Sequence, residues 1–320
     1  MSSVALRVGR VAVPGAGRRS FWQRVVAARV LLLMLVPGLL LILIFNYGPM
    51  YGLLMAFQDF QVTKGIWGSP WVGLKHFQEF FSNPSAVNAL RNTLLISFLK
   101  LAFGFPAPIL LAILFNELRN GIFKRASQTI SYMPHFVSWI VFAALITAML
   151  SPSTGVINQF LKFLGIRPIY FMADPGWFRV VLIASEIWKE IGWGAIIYLA
   201  ALSGVDPTLH EAAVVDGATR IQRILYINIP SLLPIAALML ILRMGGILNA
   251  GFDQVFNMYN VQVYQTADII DTYVYRTGLA DLKYSFAAAV GFFKSAVGLV
   301  MVVVVNEIAR RMSDRYYALW

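Results

Sequence analysis

Crossing the hydrocarbon core of a bilayer takes about 20 mostly apolar residues in a helix, and this sequence supplies six such windows. They centre on residues 30–50, 93–115, 129–150, 178–202, 231–250 and 286–305. Each window is continuously apolar without period-two alternation, and an isolated spanning segment must satisfy its backbone internally, so helix is predicted for all six. Pro37, Pro106, Pro108 and Pro234 fall in or near these windows as tolerated kinks. With 59% hydrophobic and 13% charged residues, the chain carries too few charges for an ordinary soluble surface. The expected fold class is an all-α polytopic membrane protein with six transmembrane helices.

Charge placement predicts the topology. A formal net charge of +11 in a soluble chain suggests nucleic acid, but here the cations cluster just outside apolar windows, and no basic recognition helix or aromatic-rich sheet motif accompanies them. One side collects Arg7, Arg10, Arg18, Arg19, Arg24, Arg29, Arg119, Lys124, Arg125, Arg220, Arg223, Arg310, Arg311 and Arg315. On the other side, lysines and arginines are interspersed with acids such as Asp59, Glu79, Asp174, Asp253, Asp268, Asp271 and Asp281. Both termini are therefore expected in the cytoplasm of a bacterial cell, with the chain multi-pass in the inner membrane. The basic start before Val30 reads as a signal anchor, because no small-x-small site follows the apolar run. The expected organisation is a basic cytoplasmic segment 1–29, a transmembrane domain 30–306 with extracytoplasmic loops 51–91, 151–177 and 251–285, and a cytoplasmic tail 307–320. Cysteine is absent, which removes disulfides and thiolate chemistry.

One cytoplasmic loop, 203–230, is too patterned for a connector. Asp206 followed by Pro207 is an N-cap and first-turn pair, so a short helix is predicted in VDPTLHEAAVVDG, closed by a left-handed Gly217. A second helical piece through TRIQRILYIN is expected to stop at Pro230. Ala212 and Ala213 permit close backbone approach, while Glu211 and Asp216 present carboxylates. Helical pattern alone also fits an amphipathic connector resting on headgroups, although an alanine-plus-acid face suits headgroups poorly.

The spacing Glu211, Ala212, Ala213, Gly217, Ile227, Ile229, Pro230 resembles the EAA motif of membrane subunits of binding-protein-dependent ABC importers, with Ile229 where leucine is usual. NYGPMYGLLMAFQDF, GSPWVGLKHF, RNTLLISFLKLAFGFPAPILLAILFNE, SEIWKEIGWGAIIYLAAL and TADIIDTYVYRTGL are similar to carbohydrate-uptake permeases of the oligosaccharide and polysaccharide-fragment branch. The resemblance implies a type I importer permease. Its implied partners are a second related permease, two cytoplasmic ATPases that bind ATP and Mg, and an extracytoplasmic solute-binding protein delivering an oligosaccharide. It also implies that Glu211, Ala212, Ala213, Asp216, Gly217 and Arg220 form the ATPase-coupling loop. The chain itself lacks a G-x-x-x-x-G-K-[ST] phosphate loop, so it is expected to bind no cofactor and to be no enzyme.

Ionisable groups at bilayer depth are costly and default to site candidates. Lys100, Glu186, Lys189, Glu190, Arg243 and Lys294 each lie roughly 7 to 12 residues, or roughly 10 to 18 Å, from the extracytoplasmic end of their window. Four cations against two acids favour an anionic or hydroxyl-rich ligand such as a uronate oligosaccharide of alginate or pectin type. Internal pairing among Glu186, Lys189, Glu190 and neighbouring helices is the competing reading. Arg243, with no acid in its own window, is the leading ligand candidate. Trp188, Trp193 and Tyr198 share a window with three of these charges and are candidate chamber lining for stacking on sugar rings. The 251–285 segment, with 51–91, is expected to form a docking surface for the binding protein.

His76, His135 and His210 have no partners at ligand spacing, so no metal site is expected, and no G-x-S-x-G context supports a hydrolase. Two alternatives remain open at this stage. One is an ion-coupled secondary transporter using Glu186 and Glu190; the other is a sensing subunit without transport.

Overall fold

The computed structural model describes residues 27–312, so the basic start up to Arg24 and Arg315 of the tail lie outside the described residues. The chain divides between Leu53 and Leu54 into two compact units, which cuts the expected 30–306 domain near its first span. The first unit holds helix α1 (Arg29–Ile42), continuous with a wide π-type turn at Leu43–Tyr47. Pro37 sits inside α1 without ending it.

The second unit is helical apart from turns and a single isolated bridge pairing Gln58 with Trp71 among the described residues. Its elements are α2 (Lys75–Ser82), α3 (Pro84–Gly104), α4 (Pro106–Glu117), α5 (Ile122–Tyr132), α6 (Trp139–Met149), α7 (Val156–Phe163), α8 (Pro175–Ser203), α9 (Pro207–Val215), α10 (Ile229–Gly245), α11 (Phe252–Met258) and α12 (Tyr284–Met312). Helix starts follow local chemistry. Asn83 and Asp174 each precede a proline and accept hydrogen bonds from the two free backbone N–H groups beyond it, fixing the first turns of α3 and α8.

Among the described residues, four stretches are long and apolar enough to cross a membrane: Arg29–Phe57, Pro84–Glu117, Arg220–Gly245 and Tyr284–Ile308. The third window is not a straight span. It breaks between Ile122–Phe136 and Trp139–Met149 with a bend of 107°. The cause is local, since Pro134 lies in the last turn before an extended Val137–Ser138 link. The fourth window forms α8, whose 29 residues are ample to cross, but four charges exclude it from a purely apolar span.

Helix α8 is the central post, packing against α3, α4, α5 and α10. Small residues make this possible: a Cβ added at Gly192 would lie 1.9 Å from the Ser131 carbonyl oxygen, and one at Gly194 would meet Pro108 at 2.9 Å. Toward the start of α8, Ile96, Phe142, Phe178, Leu182, Val255 and Val263 are buried together in one cluster. Toward its end, Ala112, Ala195, Leu202 and Leu232 form another. The 251–285 segment buries Val255, Met258, Val263, Ala267 and Ile269 in the core while leaving Val261, Tyr275, Leu279 and Leu282 exposed. Polar ties fix it there. Asn92 donates to the carbonyls of Gln265 and Asp268, and Arg179 donates to Asn92 Oδ1 and to the Thr266 carbonyl.

Candidate functional sites: a capped exposed rod and a charge-lined groove

The 203–230 loop folds as its residues dictate. Asp206 Oδ1 accepts from Thr208 N–H at 2.9 Å, and that bond holds its carboxyl below the usual carboxylate range. At the other end of α9, Ala218 N–H donates to Ala213 O at 2.8 Å and Gly217 N–H to Val214 O at 3.0 Å, with Gly217 at φ +78°. This is a Schellman closure, which needs a residue without Cβ strain at the left-handed position. Thr219 and Gln222 then close a capping box that starts the next helical turn.

The rod so defined buries none of its residues. Glu211, Ala212, Asp216, Gly217 and Arg220 are exposed, Ala213 is half-buried, and Leu209, Val214 and Val215 also point outward. Both ends are therefore capped internally while every side of the rod stays open to a partner. The expected stop at Pro230 does not occur. A π-type turn at Ile224–Asn228 carries the helix from Arg220 into α10, and its widened winding accommodates the missing N–H of Pro230.

The intramembrane charges converge on a polar groove made of adjoining cavities. One of about 190 Å³ is lined by Ser97, Lys100, Glu186, Arg243 and Asn249. A second of about 510 Å³ shares Asn249 and adds Asp271, Phe252, Tyr275 and Lys294. A third of about 760 Å³ shares Phe252 and Tyr275 and reaches His135, Lys189, Glu190 and Phe256.

Within it, most cations are paired. Lys100 forms an ion pair with Glu186 and donates to the Ala250 carbonyl at 2.7 Å. Lys294 contacts Asp271 Oδ1 at 2.5 Å. Lys189 is buried, sits 3.7 Å from Glu190 Oε1, and donates to the Pro134 and His135 carbonyls at 3.3 and 2.6 Å. The Pro134 carbonyl also accepts from Val137 N–H, whereas the His135 carbonyl, at the end of the first limb of the broken third span, takes its donor from Lys189. Glu190 Oε2 lies 2.8 Å from His135 Nδ1, and the His135 ring stacks on Trp193 at 4.5 Å. With Asp271 counted, four cations face three carboxylates, so the layer is closer to neutral than its sequence predicts. Arg243 alone among the described intramembrane cations has neither an ion pair nor a side-chain hydrogen bond, and it is exposed to the groove.

The aromatic candidates separate. Trp193 stays at the groove through His135. Tyr198 is buried among Ala112, Ala195, Leu202 and Leu232, so its ring packs helices together rather than lining the chamber. Trp188 turns to a different, apolar cavity against Phe142. The rings that line the groove include Phe252, Phe256 and Tyr275, with Phe252–Phe256 stacked at 5.1 Å and Phe256–Tyr275 edge-on at 5.0 Å, beside Phe136, Trp139 and Tyr284. Sequence reading passed over Phe252 and Phe256 because their segment resembled a loop; their spacing of four residues on one short helix was the available signal. Among the described residues, no cluster of metal-ligating side chains exists.

A membrane bundle that leaves a doubly capped, largely exposed rod outside its packed helices has the form of a subunit built to meet a partner. The chain belongs to the family of binding-protein-dependent transport system inner membrane components, whose model matches residues 104–314. It is a sugar ABC importer permease, a transport subunit and not an enzyme. It is 45% identical over 89% of this chain and 89% of the relative to protein LplB of Bacillus subtilis (strain 168). It is 42% identical to the polygalacturonan/rhamnogalacturonan transport system permease protein YteP of the same organism, over 93% of this chain and 92% of that one. Among solved structures, a bacterial ABC transporter involved in import of the acidic polysaccharide alginate matches at TM-score 0.84 and 43% identity, covering 91% of this chain and 99% of that one. Family membership overturns the ion-coupled and sensing alternatives. Glu186 and Glu190, which an ion-coupled mechanism needs, are in contact with Lys100, Lys189 and His135.

Proposed function

We propose that this chain lines one half of the path for an acidic, uronate-type oligosaccharide, such as an alginate or pectin fragment, while a second related permease lines the other half. Two cytoplasmic ABC ATPases bind ATP and Mg and grip the Glu211–Arg220 rod; an extracytoplasmic binding protein supplies the sugar. Both termini face the cytoplasm of a bacterial inner membrane. The transporter that imports alginate and the polygalacturonan/rhamnogalacturonan permease YteP, both similar across most of their length, support the cargo class. So does a solved alginate transporter in complex with a periplasmic protein carrying an alginate pentasaccharide, 42% identical over 91% of this chain.

The carrying observation is Arg243, a permanently charged fork held without a partner at the edge of a groove that also offers Asn249, Ser97 and an aromatic wall. A carboxylate on the sugar supplies the missing partner, and Phe252, Phe256 and Tyr275 supply surface for the ring C–H faces. Such a guanidinium–carboxylate contact is worth roughly 1.5–3 kcal/mol. The test is uptake by the assembled transporter. Arg243→Gln should raise the KM for a uronate oligosaccharide by about tenfold or more while leaving any neutral-sugar uptake unchanged. Equal loss for both sugars, or none for either, removes the acidic cargo but leaves the importer assignment standing.

A further inference from the structure

The face of α8 opposite the polar groove carries a second cavity of different chemistry. At about 100° per residue, Glu186, Lys189 and Glu190 fall on one side of the helix and Trp177, Val181, Ala184 and Trp188 on the other. The second set, with Met149 and Ile157, walls an apolar groove of about 360 Å³ between α6, α7 and α8. It runs from the extracytoplasmic start of α8 to Trp188, thirteen residues and roughly 20 Å along the helix. Trp177 and Trp188 are 43% and 42% exposed there. The groove therefore starts at the outer membrane surface and descends into the hydrocarbon, on the side turned away from the sugar path.

Its outer wall is built, not loose. Asn158, fully buried, donates to the Leu150, Ser151 and Ile169 carbonyls and accepts from Ile169 N–H, which closes the 151–169 hairpin onto the end of α6. That fixed hairpin leaves Val156, Phe160 and Phe163 of α7 exposed along one helical stripe. Residues 151–173 contain Lys162 and Arg167 and no acid. Asp174, the next acid, is occupied by the α8 N-cap, accepting from Gly176 and Trp177.

Chemistry and charge select the occupant. The lining offers almost no polar atom, so a polar segment finds nothing to bond there. An acyl chain needs no polar contact, and the acid-free hairpin matches a negative headgroup above it. We infer that this groove holds one acyl chain of an anionic phospholipid from the outer leaflet, with α7 lying in the interface and Lys162 and Arg167 facing the headgroup.

The inference is independent of the sugar's identity. It is tested on the assembled transporter in nanodiscs of equal phosphatidylglycerol and phosphatidylcholine, with a photo-crosslinking residue in place of Val180. Expected are adducts of phospholipid mass, enriched at least threefold in phosphatidylglycerol over the bulk ratio, with that enrichment lost in the Lys162→Gln/Arg167→Gln double variant. Ala184→Phe, which fills the groove, should cut the adduct yield at least fivefold in complexes that still assemble. Adducts of protein-chain mass would give the groove to a partner subunit, and phosphatidylglycerol at its bulk ratio would remove the headgroup contact; either overturns the inference.

Discussion

Lys189 shows how a residue's role depends on what surrounds it. Its position among intramembrane charges reads equally as a ligand or a partner of Glu190, and its sequence neighbours do not decide between them. The deciding groups are the Pro134 and His135 carbonyls, more than fifty residues away along the chain. Lys189→Met should leave the His135 carbonyl without its donor and remove the cation beside Glu190, costing about 1–3 kcal/mol. The measurement is thermal denaturation of the assembled transporter, where the variant should melt several degrees lower while the uptake KM changes less than twofold. Arg243→Gln should show the opposite pattern, with unchanged melting and a raised KM. Lys294 makes the same point about legibility: its acid, Asp271, sits in a segment that hydropathy assigns to the exterior.

Among the elements, local chemistry was legible and long-range bending was not. Asp206, Pro207 and Gly217 define the rod from sequence, because caps are made within a few residues of the groups they satisfy. The break at Val137–Ser138 was missed because its window stays apolar throughout; the signal, Pro134, was overshadowed by hydropathy, and the stabilising Lys189 arrives from another helix. Likewise α11 and the turns after it look polar enough for a loop, yet the alternation of Val255, Met258, Val263 and Ala267 marks a buried side. The rod carries its own prediction. Gly217→Pro removes the N–H that bonds Val214 and forbids the left-handed backbone, while Glu211→Lys reverses the charge of an exposed face. Both should abolish ATP-driven uptake with normal amounts of protein in the membrane, as measured by transport and immunoblot of the membrane fraction. Uptake at the normal rate in Glu211→Lys would dismiss the coupling role.

For the whole molecule, the class of fold followed from apolar windows and the family from one loop, while the groove depended on packing that no single window reveals. Topology is directly testable because the sequence contains no cysteine. Single replacements at Val215 and Val62, both exposed, supply unambiguous labels. In sealed right-side-out membranes, an impermeant maleimide should react with Val62→Cys and not with Val215→Cys, and inverted membranes should reverse the pattern.

The π-type turn at Ile224–Asn228 sets the azimuth of the rod. A turn of that kind holds one residue more than regular winding uses, so its surplus advances everything on the rod's side of it by about 100° around the axis of α10. Removal of a single residue there would leave a sound span and an intact, well-capped rod aimed a quarter-turn away from its present direction.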